Sequence, residues 1–140
     1  MTTFVGSGVA PFSFTIKQGS DLTISCLWKD DNENPMNLTG YQMVLPIRAY
    51  IGSPIALLTL SSAQSSGSYI SLGGTAGTFD LIFANADTSV LSANGLPSPQ
   101  SSVSGGFKVF QLGFTNLKYT DPTGKTNFLF EGPVYFDPEV

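Results

Sequence analysis

Two stretches of alternating polar and apolar residues constrain the fold of this chain more than any other feature. Apolar side chains fall on every second position in residues 21–29 and again in residues 41–50. A period of two places these side chains on one face of an extended strand, which is the pattern of a half-buried β-strand. The segment between the stretches, DDNENPMNLTG, is rich in residues that adopt turn geometry. The sequence therefore predicts a β-hairpin with a wide loop, in which the turn sets the register of the second strand.

The same alternation predicts which side chains form the core. The candidate core residues are Leu22, Ile24, Cys26, Trp28, Phe79, Leu81, Phe110 and Leu112. Cys26 is the only cysteine of the chain, so no intrachain disulfide can form. Its place on the apolar face of a strand indicates a buried structural thiol.

Further strands are predicted on both sides of the hairpin. They cover residues 12–17, 55–60, 69–72, 78–83, 108–118, 125–131 and 134–136. Gly132 and Pro133 are expected to break the chain before the last strand, which would then lie at an edge or begin at a kink. One short helix is predicted within residues 84–91, with Asp87 as its N-cap. About eight short strands with regular turns indicate an all-β fold, a single immunoglobulin-like or Greek-key β-sandwich.

The 140 residues are expected to form one domain with two less regular segments. Residues 1–11 are small and polar and predict a flexible N-terminal arm, while residues 12–140 predict the sandwich. Within it, residues 92–106 form a long loop rich in Pro, Ser and Gly, and loops of this length are usually functional or mobile. The first residues lack the features of a signal peptide, so synthesis in a cytoplasm is expected.

Charge and hydropathy argue against two kinds of partner. The net charge is −4, and the six basic residues are scattered singly rather than gathered into a stripe that would neutralise phosphates. No apolar run approaches the roughly 20 residues that span a bilayer. Only 11% of residues are charged, which is compatible with a surface covered by other subunits or with an ordinary Ser/Thr-rich β surface.

Catalytic and metal-binding patterns are scarce. The chain has no histidine, so it contains no Ser–His or Cys–His pair. Paired carboxylates remain open in principle, but most acidic residues fall in turns. Asp30, Asn32 and Asn34 begin like a calcium loop, but Pro35 replaces the required glycine and Tyr41 the bidentate glutamate. We expect no enzyme activity, cofactor or metal site.

Three tyrosines near predicted strand ends leave a second possibility open. Tyr50, Tyr69 and Tyr119 are simplest to interpret as core or rim residues. Exposed beside polar groups, they would instead stack on sugar rings.

Several short motifs, taken in order, resemble those of one group of proteins. The first set is Trp28, Asp30, Pro35, Asn37, Leu38, Thr39, Gly40, Tyr41, Ile47 and Arg48. The later motifs are Gly77-x-Phe79-x-Leu81, Asp87-Thr88-x-x-Leu91, Phe110-x-Leu112, Asp121-x-x-Gly124, Glu131-Gly132-x-Val134 and Pro138-x-Val140. The set resembles small structural proteins from bacteriophage and prophage tail and baseplate gene regions. It is similar to the N-terminal β-sandwich of baseplate receptor-binding-protein adaptors from phages of Gram-positive bacteria.

This resemblance implies a non-enzymatic virion protein of the tail or baseplate, an adaptor present in several copies and bound to other virion structural proteins. Its candidate contact residues lie in the arm and the long loop: Phe4, Val5, Leu96, Pro97, Pro99 and Val103. The alternatives are a capsid decoration or head–tail joining protein, or a carbohydrate-binding module that recognises a host glycan.

Overall fold

Two mixed β-sheets facing each other make up the computed structural model, which describes residues 1–92, 103–104, 107–108 and 110–138. The prediction of an all-β sandwich with one short helix is confirmed. The strands are β1 (Thr2–Val5), β2 (Ala10–Pro11), β3 (Phe14–Lys17), β4 (Leu22–Lys29), β5 (Gln42–Arg48), β6 (Ala56–Ser61), β7 (Tyr69–Leu72), β8 (Thr78–Phe83), β9 (Val103–Ser104), β10 (Phe107–Lys108), β11 (Phe110–Thr120) and β12 (Thr126–Asp137). The helix α1 spans Asn85–Thr88, and a 3-10 turn spans Gly74–Ala76.

The two sheets differ in size and both contain parallel pairs. The smaller has the order β1-β4-β8-β7, and β1 runs parallel to β4. The larger has the order β2-β12-β11-β5-β6, with β3 also paired to β12. Both β2 and β3 run parallel to β12. The short strands β9 and β10 pair with each other.

The predicted central hairpin is wrong. Strand β4 lies in the smaller sheet and β5 in the larger, so residues 30–41 cross from one sheet to the other. A single isolated bridge between Lys29 and Pro35 is the start of this crossover. Alternation specifies which face of a strand is buried but not which strand pairs with it. The apolar faces of β4 and β5 therefore meet across the core rather than side by side.

The core lies between these two faces. On β5, Met43, Leu45 and Ile47 are fully buried. Among the candidate core residues, Cys26, Trp28, Phe79, Leu81 and Leu112 are buried, Leu22 and Ile24 are half-buried and packed against the core, and Phe110 is half-buried at the start of β11.

The N-terminal segment is not a loose arm, so that prediction is also wrong. Residues 2–5 form β1, and Phe4 is only 5% exposed. Its ring lies 5.2 Å from that of Phe130 on the opposite sheet. The indole N–H of Trp28 donates to the carbonyl oxygen of Gly6 at 2.8 Å, which holds the end of the strand. A buried aromatic ring, pairing with β4 and the Trp28–Gly6 hydrogen bond together hold a segment whose composition is small and polar.

Strand β12 runs through Gly132 and Pro133 without the predicted break. The reason is an interruption in the strand pairing beside β12, because β2 ends opposite Glu131 and β3 begins opposite Val134. A proline has no N–H to donate. Neither β2 nor β3 pairs with Pro133, so no bond to those strands is lost. The strand beside β12 thus changes from β2 to β3 at Gly132 and Pro133, where β12 lacks one backbone N–H.

Helix α1 begins earlier than predicted, and Asp87 is not its N-cap. The N-cap residue is Ala84, and the Asn85 N–H donates instead to Oδ1 of Asp21 at 2.7 Å. The Asp87 carboxylate accepts a hydrogen bond from the Ser68 hydroxyl. A cap supplied from 64 residues away is not visible in the local sequence. Over the described ranges, no helix is long and apolar enough to cross a membrane.

Candidate functional site

An open groove of about 610 Å³ lies on the outer face of the larger sheet. Its floor comes from β5, β11 and β12, and residues 50–53 of the β5–β6 loop form a wall. Pairing places Phe114 opposite Arg48 on one side and Pro133 on the other, so these three residues form one row across the sheet. The groove therefore has a strand floor and a single wall made of loop.

Pro46 shapes the floor because it cannot donate to a β-ladder. The pairing of β5 with β11 skips it, passing from Ile47–Thr115 to Val44–Lys118. The carbonyl oxygen of Pro46 instead accepts a hydrogen bond from the Thr115 hydroxyl at 2.7 Å. The Thr115 side chain thus links the two strands through the Pro46 carbonyl, at a position where Pro46 has no N–H to donate.

The loop wall is fixed to the sheet by Arg48. Its Nη1 donates to the carbonyl oxygen of Ser53 at 3.0 Å, and the Ser53 N–H donates to Tyr50 at 3.1 Å. Gly52 has a φ of 86°, a left-handed conformation that favours glycine at this turn.

Three apolar side chains in and beside this loop are left in solvent. Tyr50 is 58% exposed, Ile51 81% and Ile55 74%. We call them the loop cluster. Single exposed apolar residues are common, but a cluster next to a groove usually marks an interaction site.

The groove carries one charge of each sign. Arg48 lies in its β5 side and Glu131 in its β12 side. Within the described residues the only ion pair is Lys17 with Asp137 at 3.4 Å, so neither groove charge has an ion-pair partner among those residues. Arg48 uses one guanidinium N–H on the Ser53 carbonyl and keeps its other donors for a ligand or partner.

The sequence motif that includes residues 37–41 closes one end of the sandwich. Leu38 is 1% exposed, and Oδ1 of Asn37 accepts the Thr39 N–H at 3.1 Å. Gly40 has a φ of 81° and approaches the Pro122 ring, while Tyr41 donates its N–H to the Leu38 carbonyl. Each of these contacts is internal. The motif and the bridged Pro35 therefore have structural roles, and none of them lines the groove.

An aromatic cluster packs beneath this motif. The Trp28 and Tyr119 ring centroids are 4.7 Å apart, and Tyr41 lies 6.1 Å from Tyr119. Burial first, and then the Asp121 carboxylate, raise the pKa of the Tyr41 hydroxyl. Burial also raises the pKa of Tyr119, with smaller contributions from Tyr41 and Asp121. Tyr119 therefore has a packing role in the core rather than a role in stacking on sugars.

Acidic side chains in turns are occupied by local hydrogen bonds. Oδ1 of Asp30 accepts the N–H groups of Asn32 at 2.9 Å and Asn34 at 3.0 Å. The Thr123 hydroxyl donates to Asp121 at 2.6 Å and lowers the pKa of that carboxyl. In the part of the chain that the structure describes, no three His, Cys, Asp or Glu side chains are grouped to hold a metal ion.

The Cys26 thiol faces the core. Burial, and to a smaller extent Asp80, raise its pKa from 9.0 to about 12. The thiolate is the reactive form of cysteine. Cys26 is therefore a protonated packing group at neutral pH.

The predicted contact residues do not form one surface. Phe4 is buried, which contradicts its expected role, whereas Val5 is 53% exposed. Val103 lies in β9, opposite Lys108. Leu96, Pro97 and Pro99 fall outside the described residues.

Sequence reasoning missed the groove. The available signal was apolar residues on the outward positions of strands, namely Pro46, Phe114 and Pro133. Of the three candidate sugar-stacking tyrosines, only Tyr50 lines the groove.

Fold and site together define an all-β sandwich with an open groove on its larger sheet. Comparisons with protein-family models and with curated proteins find no match. Among solved structures, the chain is similar to the N-terminal domain of phage TP901-1 ORF48, with 11% identity and a TM-score of 0.46 over 99% of this chain and 95% of that one. A likeness at this level does not assign a function.

Proposed function

We propose that this protein is a non-enzymatic structural subunit of a phage virion, which acts as an adaptor in the tail or baseplate. The ordered sequence motifs support the phage assignment, since they run from Trp28 to Val140 in the order expected of such proteins. In this role the domain works by packing against other virion subunits. No reaction, cofactor or metal ion is part of it.

The loop cluster beside the groove is the observation that carries this proposal. Tyr50 and Ile51 expose apolar surface along a groove whose floor contains Phe114 and Pro133, and Ile55 is exposed where the same loop ends. The centres of protein–protein interfaces are depleted in charge and enriched in aromatic residues, and their rims are polar. The groove matches the aromatic part of that pattern through Tyr50 and Phe114, and its two charged residues, Arg48 and Glu131, lie on opposite sides of it. An interface with another virion subunit would bury this surface.

Mass spectrometry of purified virions tests the proposal. We expect peptides of this chain in gradient-purified particles from a lysate of the encoding phage or induced prophage, at a copy number above one per particle. A host cytoplasmic protein of similar abundance is the control for contamination. If the chain stays in the soluble fraction and no virion contains it, the proposal is wrong.

Localisation on the particle separates the tail from the head. A capsid decoration or head–tail joining protein has the same composition and the same kind of exposed loop. Cryo-electron microscopy of particles carrying a small tag on the chain is expected to place the extra density on the tail or baseplate. Density on the head shell or at the connector would favour the alternative.

Glycan binding is the second candidate, and the position of Tyr50 favours it. The side chain lines the groove together with Asn116 and Glu131, an amide and a carboxylate that can bind sugar hydroxyls. If the groove binds a glycan, Tyr50→Ala is expected to weaken binding by about 5- to 150-fold, which corresponds to the roughly 1–3 kcal/mol that an aromatic side chain contributes when a nucleic-acid base stacks on it. Tyr69→Ala is the matched control, since β7 lies in the other sheet. A glycan array and titration calorimetry measure both, and an array without hits removes this candidate.

A further inference from the structure

The groove is incomplete on one side. Loop residues 50–53 wall it along β5, whereas on the β12 side it is lined only by strand residues Glu131, Gly132 and Pro133. The loop that forms the wall also presents Ile51, the most exposed large apolar residue of the described chain, at 81%. The surface thus contains both a projecting apolar loop and an open side where such a loop could lie.

The two charges of the groove lie on opposite sides of this surface. Arg48 and Pro133 share a row with Phe114 between them, and Glu131 precedes Pro133 by two residues on the same face. Strands lie about 4.8 Å apart and rise about 3.3 Å per residue, so the Cα atoms of Arg48 and Glu131 are roughly 12 Å apart. A positive and a negative charge separated in this way form a surface that is complementary to itself after a rotation of 180°.

We propose that the partner at this groove is a second copy of the same chain, related by a two-fold axis that passes near Phe114. Arg48 of each copy then pairs with Glu131 of the other, and Phe114 of the two copies meets near the axis. Each copy's Ile51 lies over the open β12 side of the other's groove. This inference rests on the proposed function, because it names the first partner in that multi-copy assembly.

Charge complementarity favours a second copy over the other occupants. A two-fold interface is isologous, so every contact occurs twice and one surface must satisfy itself. Arg48 and Glu131 form no ion pair with any described residue and lie on the same face, so they meet that condition. A sugar would use Tyr50 and the polar groups of the groove, but Ile55, which is exposed and does not line the groove, would stay in solvent.

Charge exchange tests the pairing directly. Arg48→Glu places two glutamates in each contact, and Glu131→Arg places two arginines, so each single variant is expected to weaken self-association at least tenfold. The double variant R48E/E131R restores opposite charges but still lacks the Arg48–Ser53 hydrogen bond that holds the loop wall, so it is expected to associate more tightly than either single variant and less tightly than wild type. Sedimentation velocity over a concentration series measures the constants.

A mixture of the two single variants gives a sharper result. R48E carries only negative charges at the groove and E131R only positive ones, so both contacts of a mixed pair are attractive. We expect a one-to-one complex from two chains that do not associate alone, detected by native mass spectrometry with one chain isotope-labelled. Recovery of association in the mixture also shows that both variants are folded.

Lys118→Glu is the matched control because Lys118 is exposed on β11 but does not line the groove. It is expected to leave association unchanged. If wild type is monomeric at all concentrations, or if R48E and E131R each associate as wild type does, the inference is wrong. A glycan that binds the wild-type monomer without any dimer would also overturn it. These outcomes are separate from the virion experiment, because a chain can be found in particles without forming this dimer and can form it without being found there.

Discussion

Phe4→Ala is expected to lower the free energy of unfolding by about 3–5 kcal/mol, the usual range for removing a buried phenylalanine. Phe4 is 5% exposed, and its ring contacts those of Phe12, Phe79 and Phe130. The change removes the anchor of β1 and leaves a cavity between the two sheets. Guanidinium denaturation followed by the fluorescence of Trp28, which lies opposite Phe4 in the pairing of β1 with β4, measures the loss.

The adjacent Val5 provides the control. It belongs to the same strand but is 53% exposed. Val5→Ala is therefore expected to change the free energy of unfolding by no more than about 0.5 kcal/mol, as most surface substitutions do. If residues 1–11 were a loose arm, both substitutions would leave the free energy of unfolding unchanged. Equal and small effects at the two positions would contradict the packing described for β1.

Strand faces were predictable from the sequence because alternation is a local property. A side chain on every second residue must share a face whatever the strand pairs with. The pattern in residues 41–50 thus identified Met43, Leu45 and Ile47, all of which are fully buried. The pattern around Cys26 and Trp28 identified a second buried face in the same way.

Strand partners were not predictable from the same pattern. A hairpin and a crossover between sheets both require two amphipathic strands joined by a polar segment. The one feature that distinguishes the two lies in the segment that joins β4 to β5, where Leu38 is only 1% exposed. Its N–H donates to Gly74, which lies far away in sequence. An apolar residue buried within a turn-rich segment is what a crossover needs to close the end of a sandwich, and a wide solvent-exposed hairpin loop does not need one.

The groove depended on contacts between distant segments. Phe114 and Pro133 come from neighbouring strands, while Arg48 comes from a strand more than 60 residues earlier in the chain. Apolar residues at outward positions were visible in the sequence, but their meeting in one row depended on the sheet order. The motifs of the resemblance include residues 37–41, which maintain the fold, and also Arg48, Glu131 and Gly132, which line the groove. Motif similarity thus named some groove residues without showing that they lie on one surface.

Gly132→Ala is expected to destabilise the protein by about 3 kcal/mol, at the upper end of the cost of overpacking. A Cβ atom at this position would lie 2.0 Å from the carbonyl oxygen of Phe12, and a backbone atom cannot move aside as a flexible side chain can. The Phe12 N–H donates to Glu131 at 3.0 Å, so the displaced segment should also lose protection from hydrogen exchange at that amide. Gly8→Ala is the control, because a Cβ there has no atom within 4 Å and the change should leave stability the same or slightly raise it. If Gly132→Ala and Gly8→Ala unfold at the same denaturant concentration, the segment that joins β2 to β3 does not pack against Gly132. The strand break predicted from the sequence at Gly132 and Pro133 would then be the better account.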